Sequence, residues 1–472
     1  MHGGMTLIEN TGDDGAPSRN LKPVLLGGGG GFWGDAFDPA AELVEQAELD
    51  FLCFDFLAEL TMAILHRQKV REPGLGYVAD VVPFMAQLAG KARDKGICLV
   101  SNGGGANPAA GARAMADVLA RRGLKDMKIG VVAGDDLMDR LDRLVAQGVT
   151  FANSVTGDTD LASIRDRVVC ANVYAGADGI MDAVDAGADI VVTGRVADSS
   201  LFVGPILQRM GKGFKDPDLV AAAIIAGHVA ECASGCTGGM SSRFDEMPDM
   251  GRAGFPIIEF SHDGSIVFTK LPGTGGRVDP FTIKEHLVYE IGDPRRYIVP
   301  DGVADMTSAR IASAGEDRVR ITGCRGGPQP DHLKVLIGYG DGWIGEGLMM
   351  FPWPRALSRA RKAEQTLRER FERMGLVAEA MEFSYVGINL LHGPAAPWPE
   401  RDDLNEIGLR VAVRTRTRDE AEKVRRACSH LWIMGPGGTS FGAPMKPRPV
   451  INLWPTLIDR SLVPHTMEVI RS

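Results

Sequence analysis

"PVLLGGGGGFWGDAFDPAAELVEQAELDFLCF", residues 23–54, is the stretch that decides the fold. Apolar residues recur three and four apart in PAAELVEQAEL, which predicts an amphipathic helix whose first turn contains Pro39. The short apolar runs on either side, Pro23 to Leu26 and Phe51 to Phe54, have the length of buried strands. The stretch therefore predicts a strand, a glycine-rich loop, a helix and a second strand.

The same succession recurs through the first half of the chain. Further apolar runs lie at Ile97 to Val100, Lys128 to Val132 and Asp189 to Val192, with helical patterns between them. Strands that alternate with helices at this spacing predict an α/β fold with a mainly parallel sheet and helices on both faces. Ligands bind such sheets in the loops beyond the carboxyl ends of the strands.

The second half has a different pattern. FPIIEFSHDGSIVFTK, residues 255–270, consists of two runs of alternating apolar and polar residues on either side of Asp263-Gly264. This pattern predicts a β-hairpin. Further strands are expected within 317–326, 332–343 and 408–417, and helices at 355–374 and 418–433. We expect a disordered tail at 1–22, an α/β domain at 23–245 and an α+β domain with antiparallel or mixed strands at 246–472.

Composition excludes several classes of protein. The net charge is −9 and the 52 Lys and Arg residues are scattered, so a nucleic-acid partner is not expected. No apolar run approaches the roughly 20 residues that cross a bilayer, and no secretory signal pattern opens the chain. Seven cysteines, an odd number, favour reduced thiols. We expect a cytoplasmic protein without a membrane contact.

Two glycine-rich stretches are candidates for ligand contact. Glycines after a strand let backbone N–H groups converge on an anion or an oxyanion, because no Cβ blocks the approach. The alternative is a tight turn between strand and helix. If the two loops lie at neighbouring strand ends they form one cleft. The expected ligand-contacting residues are Gly29, Gly30 and Gly31 in the first loop, and Asn102, Gly103, Gly104 and Asn107 in the second.

Carboxylates follow several of the predicted strands. Asp35 follows the glycine run, Asp55 and Glu59 are four residues apart after the second strand, and Asp135 ends the fourth. Apolar neighbours such as Trp33 raise the pKa of a carboxyl group and suit it to act as a general base. The alternative is that these carboxylates cap helices. Trp33 itself is expected to line an apolar ligand or to belong to the core.

Arg195 and Asp198 follow the predicted strand at 189–192. An arginine at a strand end can hold a carboxylate or phosphate through two parallel hydrogen bonds. The alternative, which we weight equally, is an ion pair between Arg195 and Asp198 that caps the next helix.

His228, Cys232 and Cys236 are spaced four and four in GHVAECASGCTGGM, residues 227–240. This spacing is not typical of zinc sites. An acid–base role for His228 and a buried structural histidine remain two open alternatives.

Several of these motifs together resemble the acyclic terpene utilisation family, AtuA. The resemblance extends over nearly the whole chain from about residue 23. Within it, ANVYAGADGI adds Asn172 and Tyr174 as expected ligand contacts. The motifs are GGGGGFWGD (27–35), FDFLAELTMAIL (54–65), VSNGGGANP (100–108), GDD (134–136), ANVYAGADGI (171–180), DIVVTGRVADSS (189–200), GHVAECASGCTGG (227–239), KLPGTGG (270–276) and YEIGDPRRY (289–297).

The resemblance implies catabolism of branched carboxylic acids or their coenzyme A thioesters. The family's namesake is placed in a bacterial citronellol and geraniol pathway, with a proposed cleavage of a branched 3-hydroxyglutaryl thioester. We therefore expect a lyase that breaks a 3-hydroxyacyl carbon–carbon bond. Asp35 or Glu59 is the expected base, Arg195 the clamp for the substrate carboxylate, and His228 the group that returns the proton. Backbone amides of 28–31 and 103–105 would hold the oxyanion. Hydratase, isomerase and hydrolase activities on a related acid remain alternatives.

Many similar sequences carry a further C-terminal module of ferredoxin-like fold, marked by a stretch like HARSGDKGDTANIG, which this sequence lacks. A separate small ferredoxin-like subunit is therefore an expected partner, and a ligand-binding subunit activated by it is a further alternative. We also expect a homo-oligomer. The motifs identify no cofactor and leave the question of a divalent metal open.

Overall fold

The computed structural model describes residues 22–441 and 445–472. Apart from Lys22, the predicted tail at 1–22 lies outside the described residues. No helix in the described part of the chain is both long and apolar enough to cross a membrane.

The elements alternate between strands and helices as far as residue 230, and strands dominate thereafter. The strands are β1 Val24–Gly30, β2 Phe51–Phe54, β3 Cys98–Ser101, β4 Lys128–Ala133, β5 Val168–Val173, β6 Ile190–Thr193, β7 Pro256–Phe260, β8 Ile266–Lys270, β9 Tyr297–Val299, β10 Gly302–Asp305, β11 Arg310–Gly315, β12 Arg318–Thr322, β13 Arg325–Gly327, β14 His332–Pro352, β15 Ala380–Val386, β16 Glu406–Thr415, β17 Ser440–Phe441, β18 Arg448–Asp459 and β19 Thr466–Arg471. The α-helices are α1 Asp38–Gln46, α2 Glu59–Arg71, α3 Val81–Lys95, α4 Pro108–Arg121, α5 Leu141–Ala146, α6 Asp178–Asp185, α7 Ser200–Arg209, α8 Pro217–Ala230, α9 Pro280–Leu287, α10 Ala356–Arg373 and α11 Arg418–Met434.

A ten-stranded sheet has the order β11-β12-β8-β7-β1-β2-β3-β6-β4-β19. The central strands β1, β2, β3, β6 and β4 pair in parallel. The flanking pairs, β1 with β7, β7 with β8, β8 with β12, β12 with β11 and β4 with β19, are antiparallel. The prediction of a mainly parallel sheet is therefore not confirmed. The sheet is mixed because strands from the second half of the chain extend both of its edges.

Helices cover both faces of this sheet, as predicted. Leu52 and Leu99 point into one core, which contains residues of α1, α2, α3 and α4. Cys53 and Val100, their neighbours in sequence, point into the other core, which contains residues of α6, α7, α8 and α9. Alternation of side chains across a strand explains the division. The predicted domain boundary at 245 and 246 lies between strands that share this sheet.

Most of the glycine run is strand. Gly27 to Gly30 belong to β1 and are buried, so the prediction of a bare loop is wrong for these four residues. A Cβ on Gly28 would lie 2.7 Å from the carbonyl oxygen of Ala230, and one on Gly31 would lie 2.7 Å from Cys232 Cα. The glycines therefore allow the carboxyl end of α8 to pack directly on β1.

Strand β14 connects the two halves of the molecule. Its first part pairs with β5 on one side and β18 on the other, and its second part pairs with β16 and β17. A separate three-stranded sheet has the order β13-β10-β9. The predicted hairpin at 255–270 is formed by β7 and β8.

Residues 343–441 form a βαββαβ unit, which we call the ferredoxin-like unit. Its order is β15-β16-β14-β17, with every neighbouring pair antiparallel. Helices α10 and α11 cover one face around Leu367, Phe371 and Leu431. The predicted helices at 355–374 and 418–433 are confirmed here. The sequence predicted strands and helices in this region but not their ferredoxin-like order.

Candidate active site

Polar side chains gather beyond the carboxyl ends of the parallel strands. Asp55 follows β2, Asn102 follows β3, Asp135 follows β4 and Arg195 follows β6. All four side chains are buried. Parallel strands bring their carboxyl ends to one edge of the sheet, which is why residues far apart in sequence meet here.

Arg195 lies at the centre of this edge and is 2% exposed. Its guanidinium donates hydrogen bonds to the Leu57 carbonyl oxygen and to Asp198. The ring of Tyr174 covers it, with the guanidinium carbon 4.2 Å from the ring centroid. The predicted ion pair with Asp198 is therefore formed. Among the described residues, Arg195 Nε has no hydrogen-bond partner, so the ion pair does not use the full donor capacity of the guanidinium.

Asp55 is held by its neighbour on β3. Asp55 Oδ1 accepts hydrogen bonds from Asn102 Nδ2 at 2.5 Å and from the Leu57 N–H at 3.2 Å. Asn102 Oδ1 in turn accepts the Phe56 N–H at 2.8 Å. Burial, and next the charge of Asp198, raise the pKa of Asp55 well above its usual value, although Arg195 opposes them. A fixed carboxyl group with a raised pKa acts as a general base when ionised and as a general acid when protonated.

Asp135 supports the main chain of Arg195. Asp135 Oδ2 accepts the Arg195 N–H at 3.0 Å and Asn172 Nδ2 at 2.8 Å. Asn172 Oδ1 lies 3.0 Å from His66 Nε2, which extends the network towards α2. Burial raises the pKa of Asp135 to about 6. Asp135 and Asn172 thus fix the loop that carries Arg195.

The end of α8 adds a second group of ionisable side chains. His228 Nδ1 lies 3.4 Å from Glu231 Oε1. Burial lowers the pKa of His228 to about 4, so its ring is neutral at neutral pH. Burial, and next Asp198 and Glu290, raise the pKa of Glu231 well above its usual value. Neighbouring carboxyl groups therefore favour the protonated form of Glu231.

We define the strand-end cluster as Asp55, Asn102, Tyr174, Arg195, Asp198, His228 and Glu231. Buried polar atoms without a hydrogen-bond partner are rare in folded proteins. Most of those found in the described chain lie in this cluster or next to it. They are Arg195 Nε, Ser199 Oγ, both ring nitrogens of His228, Glu231 Oε2 and His286 Nε2. Such a concentration of unpaired donors and acceptors is typical of a ligand-binding or catalytic site.

Asp35 and Glu59, the predicted bases, make other contacts. Asp35 accepts the N–H groups of Gly31 at 2.8 Å and Ala36 at 2.7 Å, which closes the turn after β1. Glu59 is exposed and forms an ion pair with Lys334 at 3.0 Å. Both lie outside the cluster.

Several predicted contacts have their polar groups occupied by the protein itself. Trp33 Nε1 donates to Asp80 at 2.8 Å, and Asn107 Nδ2 donates to the carbonyl oxygens of Pro73 and Leu75. Gly29 and Gly30 lie within β1, and the Gly103 N–H donates to Ser101 Oγ at 3.0 Å. A Cβ on Gly104 would lie 2.5 Å from the Thr193 carbonyl oxygen, which explains its packing role.

The sequence prediction did not include Glu231, which belongs to the cluster, or His286 and His66, which lie next to it. Glu231 could have been found, because it lies three residues after His228 and so shares a face of the helix end. His286 comes from α9 and His66 from α2, and no local pattern links either to the strand ends.

Two further features of this region limit the chemistry that it can perform. A cavity of about 240 Å³ lies beside Asp135 and Arg195, and its lining includes Arg460 and His465. Across 22–441 and 445–472, no group of three or more His, Cys, Asp or Glu side chains is arranged to hold a metal ion.

Comparison with known proteins identifies the family. A search of curated proteins and a search of solved structures found no match. A family model described as "acyclic terpene utilisation family protein AtuA" matches residues 24–469, nearly the whole chain. The match includes every residue of the strand-end cluster, and the chain therefore belongs to the AtuA family.

Proposed function

We propose that this protein is a lyase that cleaves the carbon–carbon bond of a small branched 3-hydroxy acid or its coenzyme A thioester. The observation that carries the proposal is the buried Arg195 facing carboxyl groups of raised pKa at the carboxyl edge of the sheet. Membership of a family named for terpene utilisation supports a branched, isoprenoid-derived acid as the substrate class.

Arg195 supplies the positive charge that the reaction needs. Cleavage next to a carboxyl or thioester group places negative charge on the carbonyl oxygen as an enolate forms. The Arg195 guanidinium is fixed by Leu57, Asp198 and the Tyr174 ring before any substrate arrives. Donors that are already oriented stabilise developing charge without reorganising.

We assign the base to Asp55 instead of Asp35 or Glu59. Its Oδ1 is held by Asn102. Burial is the largest cause that raises its pKa and the charge of Glu231 is another, so a proton on Glu231 leaves Asp55 as the ionised member of the pair. Asp55 takes the proton of the 3-hydroxyl group, a carbonyl group forms at that carbon, and the carbon–carbon bond breaks. The electron pair of the broken bond becomes the enolate, whose oxygen is held by Arg195.

We assign the return of the proton to Glu231. His228 was the expected donor, but a neutral imidazole lacks the proton of an imidazolium ion. Asp55 and Glu231 both have raised pKa values, and two carboxyl groups that repel each other favour holding one proton between them, which we assign to Glu231. Its proton passes to the enolate carbon, and a proton then returns from Asp55 to Glu231, which restores the starting state.

Product analysis tests this proposal. The purified chain is incubated with 3-hydroxy-3-methylglutaryl coenzyme A, and the products are identified by mass spectrometry. A lyase gives two carbon fragments whose masses sum to that of the substrate. A hydratase run in reverse removes water, an isomerase leaves the mass unchanged, and a hydrolase releases the intact acid and free coenzyme A.

Arg195→Ala is the first variant to measure. We expect kcat/KM to fall by about 10² to 10³, the usual loss when a donor to a developing oxyanion is removed. Arg410→Ala, which removes a partly exposed partner of Glu346 in the ferredoxin-like unit, is the matched control and should retain activity. Near-normal kinetics in a folded Arg195→Ala protein would remove Arg195 from the mechanism.

A second candidate function is a ligand-binding subunit that a separate small ferredoxin-like protein activates. Exposed apolar side chains close in sequence to site residues favour it: Phe32 is 57%, Leu60 51% and Ile64 50% exposed. Phe32 follows Gly31, and Leu60 and Ile64 lie on α2 just after Asp55. Under this alternative, the chain by itself binds the thioester. It converts the thioester to product only when the small subunit is added.

A further inference from the structure

Three aromatic rings stack between Glu231 and the surface. The His228 and His286 ring centroids are 6.3 Å apart with planes inclined by 25°, and those of His286 and Tyr289 are 5.4 Å apart and inclined by 20°. His228 is 2% exposed, His286 4% and Tyr289 37%. We call these three residues the ring column. It extends from the buried cluster towards solvent.

The inner part of the ring column holds hydrogen-bonding atoms that the protein does not use. Among the described residues, His286 Nε2 and Glu231 Oε2 have no hydrogen-bond partner, and neither nitrogen of His228 makes a well-aligned hydrogen bond, although its Nδ1 lies 3.4 Å from Glu231 Oε1. A buried donor or acceptor without a partner loses the hydrogen bond that water gave it in the unfolded chain, which destabilises the fold. Four such atoms in neighbouring residues indicate that another molecule supplies their partners.

The charge of the surroundings restricts what that molecule can present. Burial lowers the pKa of both imidazoles to about 4, so both rings are neutral at neutral pH. Asp198 and Glu290 act on His228 and Glu231 and would repel an anion. Tyr297, whose ring centroid lies 5.2 Å from that of His228, brings no positive charge. Arg195 is paired with Asp198 and, in the proposed function, contacts the acyl end of the ligand.

A neutral imidazole offers one N–H donor and one nitrogen acceptor. The chemical partner that satisfies such rings is an uncharged group that both donates and accepts a hydrogen bond. Secondary amides and hydroxyl groups have this property. The amides of a coenzyme A arm or a second hydroxyl of a free acid would supply it.

We propose that the ring column binds an uncharged amide or hydroxyl group of the ligand, remote from the bond that breaks. This rests on the proposed function only in assuming that the ligand's acyl end lies at Arg195. The column then determines which part of the ligand lies at the surface side of the site, and it selects against charged groups at this position.

Binding measurements on matched probes test the inference without turnover. By calorimetry we would compare the isobutyryl thioester of pantetheine, which carries amides, with isobutyryl thioesters of a simple alkanethiol and of an aminoalkanethiol of similar length. A second pair compares a dihydroxy acid with its monohydroxy analogue and so tests the hydroxyl source. We expect the amide or the extra hydroxyl to strengthen binding to the wild-type protein about tenfold.

His286→Phe keeps a ring in the stack and removes the hydrogen-bonding nitrogens. We expect it to abolish the tenfold preference while leaving the affinity for the alkanethiol thioester unchanged. His392→Phe, which makes the same replacement at an exposed histidine of the ferredoxin-like unit, is the matched control and should keep the preference. His286→Asn, which retains a donor and an acceptor, should restore part of it and serves if the Phe variant does not fold.

Three results would overturn the inference. One is equal binding of all probes by the wild-type protein, which means that the column holds only ordered water. Another is tightest binding of the aminoalkanethiol thioester. The third is a preference that persists in folded His286→Phe. Failure of the proposed function can be distinguished from failure of this inference. If no carbon–carbon cleavage occurs but the binding preference depends on His286, the lyase proposal is wrong and the ring-column proposal is supported.

Discussion

The strand-end cluster and the ferredoxin-like unit differ in how deeply their charged side chains are buried and how they are paired. In the cluster, Arg195 is 2% exposed and several neighbouring polar atoms are unpaired. The ferredoxin-like unit also has two buried nitrogens without a hydrogen-bond partner, Arg370 Nε and Arg414 Nε, but its ion pairs, such as Arg425 with Glu422 and Arg368 with Glu364, stay partly exposed along helices. Exposed pairs add little to stability, whereas buried unpaired groups reduce it. The difference supports the proposal that the first region carries the chemistry.

Two aspartates show the same contrast. Asp135 in the site region is buried, and burial raises its pKa to about 6 although hydrogen bonds from Arg195 and Asn172 oppose the shift. Asp402 in the ferredoxin-like unit accepts the N–H groups of Leu357 and Ser358 at the start of α10. Burial acts against its ionisation, but the hydrogen bonds outweigh burial and lower its pKa. The two carboxyl groups should therefore affect stability with opposite dependence on pH.

Asp135→Asn should give the largest effect on stability. A raised pKa means that the folded protein holds the proton more tightly, so this group's stabilisation is complete below about pH 4 and is lost as the pH rises through about 6. Asparagine removes that dependence. Relative to the wild type, the variant should gain about 2 kcal/mol between pH 4 and pH 7, measured by denaturant unfolding at each pH. A constant difference across this range would show that Asp135 does not titrate in the folded state.

Gly28→Ala in β1 and Gly437→Ala in the ferredoxin-like unit test a closely packed glycine against an open one. At Gly28 the new Cβ would lie 2.7 Å from the Ala230 carbonyl oxygen, and that backbone cannot move without shifting Glu231. We expect a loss of about 1–3 kcal/mol in the free energy of unfolding and reduced activity. Gly437→Ala, where no atom lies within 4 Å of the new Cβ, is the control and should change stability by less than about 1 kcal/mol. Equal effects at both positions would argue against a packing role for Gly28.

Asp402→Asn should have the smallest effect and the opposite sign of pH dependence from Asp135→Asn. A lowered pKa contributes stability above about pH 4 that disappears as the pH falls through the folded-state pKa. Asparagine keeps one acceptor oxygen but loses the second acceptor and the charge. The variant should therefore be less stable at pH 7 by at most about 1 kcal/mol and should approach the wild type below pH 4. The same thermal or denaturant measurements test this, and a penalty that grows on acidification would contradict it.

The sequence predicted the parts of the fold that depend on local pattern. The runs at 51–54, 97–100, 128–132 and 189–192 became parallel strands because each is apolar, short and bounded by turns. The antiparallel edges were not predicted, because pairing of β7 with β1 and of β19 with β4 joins distant segments. Periodicity carries no information about such pairings.

The same limit applies to the candidate site. Asp55, Asn102, Arg195 and Asp198 were predicted because strand ends in parallel sheets face ligands. Asp35 seemed equally well placed, but its carboxylate closes a turn, and sequence does not show which carboxylates the local backbone will use. Glycine has several structural uses, and for the run at 27–30 the decisive one was the approach of α8.

The shared strand β14 has a consequence for attempts to divide the protein. Its first part needs β5 and β18, and its second part needs β16 and β17. A cut anywhere within 332–352, or expression of either portion by itself, leaves a long strand with unpaired N–H and C=O groups. Such an edge recruits other chains, so fragments made this way should aggregate, and engineered splits belong in loops that leave β14 with all its neighbours.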